Sequence, residues 1–227
     1  MKRTRQLLNE NTGNPEEINA VIISHLHGDH ISYYPLRVIE DCNYTIKIHK
    51  NSIQQLKQKH FNGYGFNSLK LEPFSKEFKI GNLTIEPFQV PHHPGFPTYG
   101  FVIKHKKTKA VIVTDFHDGR EIVKHLVDAD FIFIESNHDL DLLGQYFNPN
   151  SLFHMSNPKT AQLLCLARKK SRKPPQAVML GHISSQRNEP GIALKETMNT
   201  FDENGVDLDF KLSYAPLRES SEVVEVG

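Results

Sequence analysis

The sequence predicts a layered α/β fold in which helices pack outside β-sheets. Segments rich in β-branched and apolar residues alternate with helical segments along the whole chain, and no domain linker interrupts them. The chain has 227 residues, of which 38% are hydrophobic and 23% charged, as is ordinary for a globular protein with a sizeable core. We therefore expect residues 1–227 to form a single domain.

Apolar or alternating runs between turn signals predict ten strands. These strands are 18–23, 44–49, 78–80, 83–90, 99–104, 110–114, 131–134, 177–180, 208–214 and 222–226. A turn at Gly81 and Asn82 joins the third strand to the fourth as a hairpin. A basic turn at 105–109 joins the fifth strand to the sixth.

Helical patterns predict six helices between these strands. The helices are 2–10, 31–40, 51–59, 120–127, 158–170 and 190–201. Pro35 is compatible with the second helix because proline is tolerated in a first turn. Either Asn51 or Ser52 is expected to cap the third helix.

Charge and cysteine content exclude several classes of protein. The net charge of +1 provides no overall attraction to nucleic acid or to an anionic membrane, so any such attraction must be local. Cys42 and Cys165 lie far apart and outside any Cys-x-x-Cys pair, which argues against a disulfide framework or a thiolate metal site. The chain lacks a bilayer-length apolar run and an N-terminal signal core. We expect a soluble, cytoplasmic protein with no membrane partner.

A cluster of potential metal ligands follows the first predicted strand, where residues 21–30 read VIISHLHGDH. His25 and His27 should point to the same side, because side chains alternate along extended backbone. Gly28 permits a sharp turn that can bring Asp29 and His30 to the same space. Imidazole and carboxylate are typical ligands of Zn²⁺ and similar ions. The arrangement favours two metal ions over one.

The spacing His-x-His-x-Asp-His behind an apolar strand resembles the signature of the metallo-β-lactamase superfamily. This resemblance implies an αββα sandwich with a two-metal site, to which later strand ends contribute further ligands. Those ligands are expected at His92, Asp115 and His182, each of which lies within two residues of the end of a predicted strand. His93 is an alternative to His92, and Asp115 has the alternative role of a helix cap.

The resemblance also implies how the ligands divide between the two ions. The expected sets are His25, His27 and His92 on one ion, Asp29, His30 and His182 on the other, and Asp115 as the bridge. Seven ligands on two ions leave positions open for water and substrate, which is typical of a catalytic site. Zn²⁺ is the first choice, and Mn²⁺ or Fe²⁺ would also suit these ligands.

Two later segments resemble a particular branch of the superfamily. The segment 131–140 reads FIFIESNHDL, and 153–157 reads FHMSN. Their combination is similar to the small bacterial exonuclease-like branch, related to ribonuclease Z, which is thought to degrade DNA from 5′ to 3′. The segment 181–184, GHIS, is similar to that branch's final motif.

The resemblance to that branch implies roles in catalysis. His154 becomes the candidate general acid, Glu135 its orienting partner, and Asp29 completes the candidate catalytic set. A positioned imidazolium typically contributes about 10²–10⁴-fold by protonating a poor leaving group. The expected reaction is phosphodiester hydrolysis by a metal-bridging hydroxide, with DNA favoured over RNA. Asn137 and His138 are expected only to shape their loop.

The chain also departs from the family pattern. It has His92-His93-Pro94 where the branch has His-Asp-Ala, and it enters the first helix without the usual opening strands and Gly/Ser-rich turn. We expect the fold to lack two or three of these strands. Either the sheet edge is then unpaired and available for a dimer contact, or another element covers it. The sequence does not decide the oligomeric state or whether the reading frame is truncated.

Two basic clusters bear on the substrate. Residues 104–109 and 168–173 are rich in lysine and arginine and could follow a phosphate backbone, although solvated turns are the alternative. Five histidines outside the motifs are expected at the surface: His49, His60, His105, His117 and His125. Two other functions stay open, namely hydrolysis of a small ester, thioester or lactone, and a truncated non-catalytic metal-binding protein.

Overall fold

The computed structural model describes residues 6, 9–10, 15–61, 65–66 and 68–227, and in this part of the chain the strands form two sheets. The first sheet has three parallel strands, Ala20–Ile23 (β1), Thr45–His49 (β2) and Lys70–Phe74 (β3), in the order β1-β2-β3. Its edge strand β1 leads directly into the histidine-rich motif.

The second sheet contains seven strands in the order β10-β9-β8-β7-β6-β5-β4. They are Phe78–Ile80 (β4), Leu83–Val90 (β5), Thr98–His105 (β6), Thr108–Val113 (β7), Phe131–Glu135 (β8), Ala177–Gly181 (β9) and Lys211–Tyr214 (β10). Strands β4 to β7 pair antiparallel, and β7 to β10 pair parallel. Strand β5 therefore runs in the same direction as β7, β8 and β9, so these four strands end at one edge of the sheet.

Helices connect these strands. The α-helices are Tyr33–Asp41 (α1), Ile53–Leu56 (α2), Val123–Leu126 (α3), Leu140–Gln145 (α4), Asn157–Lys170 (α5) and Pro190–Glu203 (α6). A π-helical turn, Lys57–Phe61, extends α2, and a 3₁₀ turn, Pro149–Phe153, precedes α5. Of the helices in the described part of the chain, none combines the length and the apolar character that crossing a bilayer requires.

Three apolar clusters hold the layers together. The largest lies between the seven-stranded sheet and helices α3, α5 and α6, with Phe116 and Phe201 buried inside it. A second lies between the three-stranded sheet and helices α1 and α2. A third, which includes Phe74, Tyr99 and Phe101, joins the two sheets. These interfaces form the expected αββα sandwich.

Several predicted elements differ from the structure. Residues 222–226 form no strand, although Glu and Val alternate there, because no neighbouring strand pairs with them and Val223 is 83% exposed. The predicted helix 120–127 is reduced to α3. Strand β3 and helix α4 were not predicted. Strand β3 contains Pro73 and is largely exposed, so its sequence is not typical of a strand. In the predicted helix 2–10, only residues 6, 9 and 10 are described, and these are helical.

The expectation of surface histidines is wrong for His49. Its ring is buried at the end of β2, where it stacks on Tyr99 with 4.3 Å between ring centroids. The Tyr99 hydroxyl lies 3.0 Å from His49 Nδ1. His105 is exposed as expected, His125 is half-buried against Phe88, and the side chain of His60 lies outside the described residues.

Both basic clusters lie at the edge of the seven-stranded sheet opposite the carboxyl ends of β5, β7, β8 and β9. Residues 104–109 comprise the end of β6, the turn and the start of β7, and the 168–173 segment packs against the loop that precedes β8. Carboxylates neutralise much of this charge in the pairs Lys104–Glu86, Arg168–Asp209, Arg172–Asp128 and Lys173–Asp130. Of the two interpretations, the structure favours solvated turns.

Truncating a core side chain on α6 tests the packing of this layer. Phe201 is 1% exposed, whereas Met198 on the same helix is 57% exposed. Phe201→Ala should lower the free energy of unfolding by about 3–5 kcal/mol, because it leaves a cavity in the core. Met198→Ala, the matched control, should change it by about 0.5 kcal/mol or less. Urea denaturation followed by circular dichroism measures both, and equal effects would contradict this packing.

Candidate metal centre

The candidate site lies where strands of both sheets end. His25 and His27 follow β1, His92 follows β5, and Asp115 follows β7. Glu135 is the last residue of β8, and its neighbour in β9, Gly181, is followed by His182. The strand order thus converts positions far apart in sequence into neighbours at one edge.

Three imidazoles form the first cluster. The Nδ1 atom of His27 lies 3.0 Å from Nε2 of His25 and 3.1 Å from Nε2 of His92. The other ring nitrogens are oriented by the protein, since His92 Nδ1 donates to the Phe153 carbonyl at 3.0 Å and His25 Nδ1 lies 3.1 Å from Ser24 Oγ. Burial lowers the pKa of His25 to about 3 and also lowers the pKa values of the other two. Neutral rings with converging nitrogens fit a divalent cation.

The structure separates His92 from its neighbour His93. His92 points into the cluster, whereas His93 Nδ1 accepts a hydrogen bond from the Gly95 backbone N–H at 3.1 Å. The ring of His93 lies 5.8 Å from that of His27, centroid to centroid. Between the two alternatives, the geometry therefore favours His92.

The second cluster contains two carboxylates and two imidazoles. The donor atoms of Asp29, His30, Asp115 and His182 all lie within 4.8 Å of one another. His30 Nε2 lies 3.1 Å from Asp115 Oδ2, and His182 Nε2 lies 3.4 Å from Asp29 Oδ2. These four side chains come together as the sequence predicts.

Asp115 stands between the two clusters. Its Oδ1 lies 3.9 Å from Nε2 of both His25 and His92, and its Oδ2 faces His30. Burial by itself raises the pKa of Asp115, but the contact with His30 and the nearby charge of His182 outweigh it and hold the pKa well below the usual range. Asp115 Oδ2 is buried without a hydrogen bond of good geometry among the described residues, which fits a bound cation.

The carboxylate of Glu135 connects the second cluster to His154. One oxygen, Oε2, accepts hydrogen bonds from His182 Nδ1 at 2.6 Å, His154 Nδ1 at 2.9 Å and the Asp115 backbone N–H at 3.1 Å. The other, Oε1, accepts from the Met155 N–H at 2.8 Å. The contact with His154 agrees with the sequence prediction. The contact with His182 was not predicted, since it depends on the register between β8 and β9.

Hydrogen bonds between the side chains of this group shift their pKa values. Burial raises the pKa of Glu135, but hydrogen bonds from His154 and His182 more than offset that effect and keep the carboxylate ionised. Burial likewise lowers the pKa of His182, but its hydrogen bonds to Asp29 and Glu135 raise it to about 11. The hydrogen bond from His182 also holds the pKa of Asp29 well below its usual range. A histidine between a buried carboxylate and a metal is a common arrangement at metal sites.

Two residues of the site have strained backbone. Asp115 and His182 adopt positive φ values of 61° and 51° just after their strands end. Such conformations cost non-glycine residues of order 1–3 kcal/mol each and persist only where the surroundings enforce them. The Asp115 N–H is fixed by Glu135, and the Asn137 amide donates to the His182 carbonyl at 3.0 Å. The Asn137 side chain thus stabilises the loop at His182, whereas the sequence predicted only that it shapes its own loop.

A cleft of about 790 Å³ opens beside the second cluster. Asp29, His30, His154 and His182 line its inner end. Farther out, amide, hydroxyl and guanidinium groups come from Asn148, Asn150, Ser151, Ser184, Ser185 and Arg187. Because Nδ1 of His154 is bound to Glu135, its Nε2 is the nitrogen left for a molecule in the cleft.

Comparison with known proteins decides the family. The model of a beta-lactamase superfamily domain matches residues 2–183. The chain belongs to this family. Membership in this superfamily of metal-dependent hydrolases supports a hydrolase, and the His/Asp clusters are compatible with divalent cations. The family expectation from the HxHxDH spacing is thereby confirmed.

Individual members show how far the likeness extends. Exodeoxyribonuclease WalJ of Streptococcus pneumoniae is 26% identical over 224 residues, which cover 93% of this chain and 81% of that protein. The metallo-beta-lactamase fold protein YhfI from Bacillus subtilis superposes with a TM-score of 0.73 at 19% identity, covering 99% of this chain and 83% of YhfI. Yeast PDE1 gives a TM-score of 0.70 at 20% identity, with 88% and 67% covered. The likeness to YhfI confirms the metallo-β-lactamase fold.

Replacing each of the adjacent histidines tests the first cluster. His92→Ala should lower the bound metal by about one ion per chain, because it removes one of three converging nitrogens. His93→Ala, the matched control, should leave the metal content unchanged. Elemental analysis of both purified variants measures this. A loss caused by His93→Ala alone would reverse the assignment.

Replacing the buried carboxylate tests the second cluster. Glu135→Gln keeps the shape of the side chain but removes the charge that orients His154 and His182. We expect metal affinity to fall by about 10- to 100-fold, as is typical when the partner of a ligating histidine is lost. Competition with a chromophoric chelator measures the affinity. Glu86→Gln, at an exposed ion pair far from the site, is the control, and an unchanged affinity for Glu135→Gln would contradict the role.

Proposed function

We propose that this protein is a metal-dependent phosphodiesterase that cleaves nucleic acid, with DNA favoured over RNA. The observation that carries the proposal is the 2.9 Å hydrogen bond between His154 and Glu135 at the inner end of the cleft. It provides a positioned proton donor beside a site suited to two cations. The relative at 26% identity, an exodeoxyribonuclease by name, supports the same reaction class.

We assign the metal ligands from the two clusters and the carboxylate between them. The proposed sets are His25, His27 and His92 for one cation, Asp29, His30 and His182 for the other, and Asp115 between them. When bound, two divalent cations polarise the phosphodiester and lower the pKa of an attacking water. Zn²⁺ is the first candidate, and Mn²⁺ or Fe²⁺ is compatible with the same donors.

His154 is the proposed general acid. Its Nδ1–H donates to the ionised Glu135, which orients the ring and fixes its tautomer. The free Nε2 can then protonate the leaving oxygen, a step that typically contributes about 10²–10⁴-fold. Asp29 lies at the mouth of the same cluster, where its carboxylate holds His182 in place from the side opposite Glu135.

A nucleic acid is favoured over a small activated ester for two reasons. A ribose or deoxyribose alkoxide is a poor leaving group and needs the proton that His154 supplies, whereas an activated ester does not. The cleft also extends beyond the reacting groups and is lined with hydrogen-bonding side chains, which suits a substrate with several polar units.

A substrate panel with a leaving-group comparison tests the proposal. We expect purified protein with about two metal ions per chain to cleave labelled DNA, and Asp115→Ala to lose both metal and cleavage. His154→Ala should slow DNA cleavage by about 10²–10⁴-fold but affect a 4-nitrophenyl ester much less, because that leaving group needs no proton. His105→Ala is the control, since His105 is exposed and far from the site.

The alternatives give different results in the same experiment. Bound metal with ester hydrolysis but no cleavage of DNA or RNA would favour a small-molecule hydrolase. Equal losses of both activities in His154→Ala would remove the general-acid role. Bound metal with neither activity would favour the non-catalytic metal-binding alternative, and folded protein without metal would contradict the proposed metal site.

A further inference from the structure

Two exposed aromatic side chains lie just before a segment that lines the cleft. Tyr146 and Phe147 are 60% and 67% exposed, respectively, and they follow α4 directly. The next residues along the chain include Asn148 and Asn150, whose side chains line the cleft, and the segment then reaches His154. Two adjacent exposed aromatic side chains offer apolar faces on which a ligand can pack.

The cleft also contains a positive charge without an acidic partner. Arg187 lines the cleft, and among the described residues no carboxylate forms an ion pair with it. Its Nη1 contacts only the Gln186 amide oxygen at 3.0 Å, and its Nε is buried without a hydrogen bond. Arg168 and Arg172, at the opposite edge of the sheet, are both paired with aspartates. A guanidinium with free donors is well suited to a phosphate.

We propose that the cleft binds a single-stranded nucleic acid, with a backbone phosphate at Arg187 and bases stacked on Tyr146 and Phe147. The inference rests on the proposed function and names the form of its substrate. Single strands present unpaired base faces that can stack on aromatic side chains, whereas duplex bases are already stacked on each other. Stacking on Tyr146 and Phe147 and the charge of Arg187 inside the cleft would together direct a strand towards the candidate site.

A second copy of this chain is the competing partner for the exposed surface of Tyr146 and Phe147. The charge favours nucleic acid, because Arg187 in the cleft has no carboxylate partner among the described residues and a protein partner would have to supply one. A polyanion supplies that partner at every nucleotide. The asparagines that follow the aromatic pair add hydrogen-bonding groups suited to phosphate and sugar oxygens.

Binding to two matched strands tests the inference. One is a cleavage-resistant phosphorothioate single strand, and the other is an abasic strand of the same length and backbone. Tyr146→Ala and Phe147→Ala should each raise the Kd for the first strand by about 5- to 100-fold, since each removes a stacked base contact. Neither should change the Kd for the abasic strand. Fluorescence anisotropy with the purified protein measures both.

Arg187 should behave differently from the aromatic pair. Arg187→Ala should weaken binding of both strands and reduce the slope of log K against log salt by about one, because one phosphate contact is lost. Arg187→Lys should retain the salt slope. Met198→Ala is the control for loss of an exposed apolar side chain, and circular dichroism checks that every variant folds.

Each remaining outcome overturns part of the inference. Equal weakening of both strands by Tyr146→Ala would exclude stacking, and unchanged binding in Arg187→Ala would exclude the phosphate contact. A wild-type dimer that becomes a monomer in Phe147→Ala would assign the surface of Tyr146 and Phe147 to a second copy of this chain. Wild-type protein that binds in the expected pattern but cleaves no nucleic acid would refute the proposed function alone, whereas cleavage unaffected by these variants would refute only the inference.

Discussion

The buried carboxylate of Glu135 is the group on which the geometry of the site depends. Four donors converge on it: the rings of His154 and His182 and the backbone N–H groups of Asp115 and Met155. A carboxylate excluded from water is costly unless such partners compensate it. The dependence is mutual, because the same bonds aim His182 towards one cluster and His154 towards the cleft. The proposed metal ligation and the proposed proton donation thus depend on one anchoring charge at the end of a core strand.

Local sequence predicted the first motif and most of the strands because both follow from short-range patterns. The spacing from His25 to His30 itself indicates which side chains point towards the same space. Buried strands such as β8 and β9 appear in the sequence as apolar runs. The contact between Glu135 and His182 has no local signal, since it follows from the pairing of Glu135 with Gly181 across two strands. The choice between His92 and His93 likewise depends on where β5 ends relative to the Phe153 carbonyl.

The sequence predicted the buried strands and helices better than it predicted which cationic side chains are paired with carboxylates. The basic runs at 104–109 and 168–173 are conspicuous in the sequence, yet distant aspartates such as Asp128 and Asp130 neutralise part of them. Arg187, in contrast, stands alone in a polar segment and has no pattern around it. Whether a cation is available to a ligand depends on its partners in three dimensions, and those partners come from other strands.

The left-handed backbone at Asp115 and His182 has a consequence for the energetics of metal binding. Contacts within the protein, from Glu135 and Asn137, enforce both conformations. The conformational entropy of placing these side chains is therefore lost when the chain folds and need not be lost again when a cation arrives. A rigid donor set discriminates between ions by size and preferred geometry, since it cannot relax around a poor fit. The selectivity of this candidate centre for particular cations would therefore depend on the sheet whose strand ends hold the donor side chains.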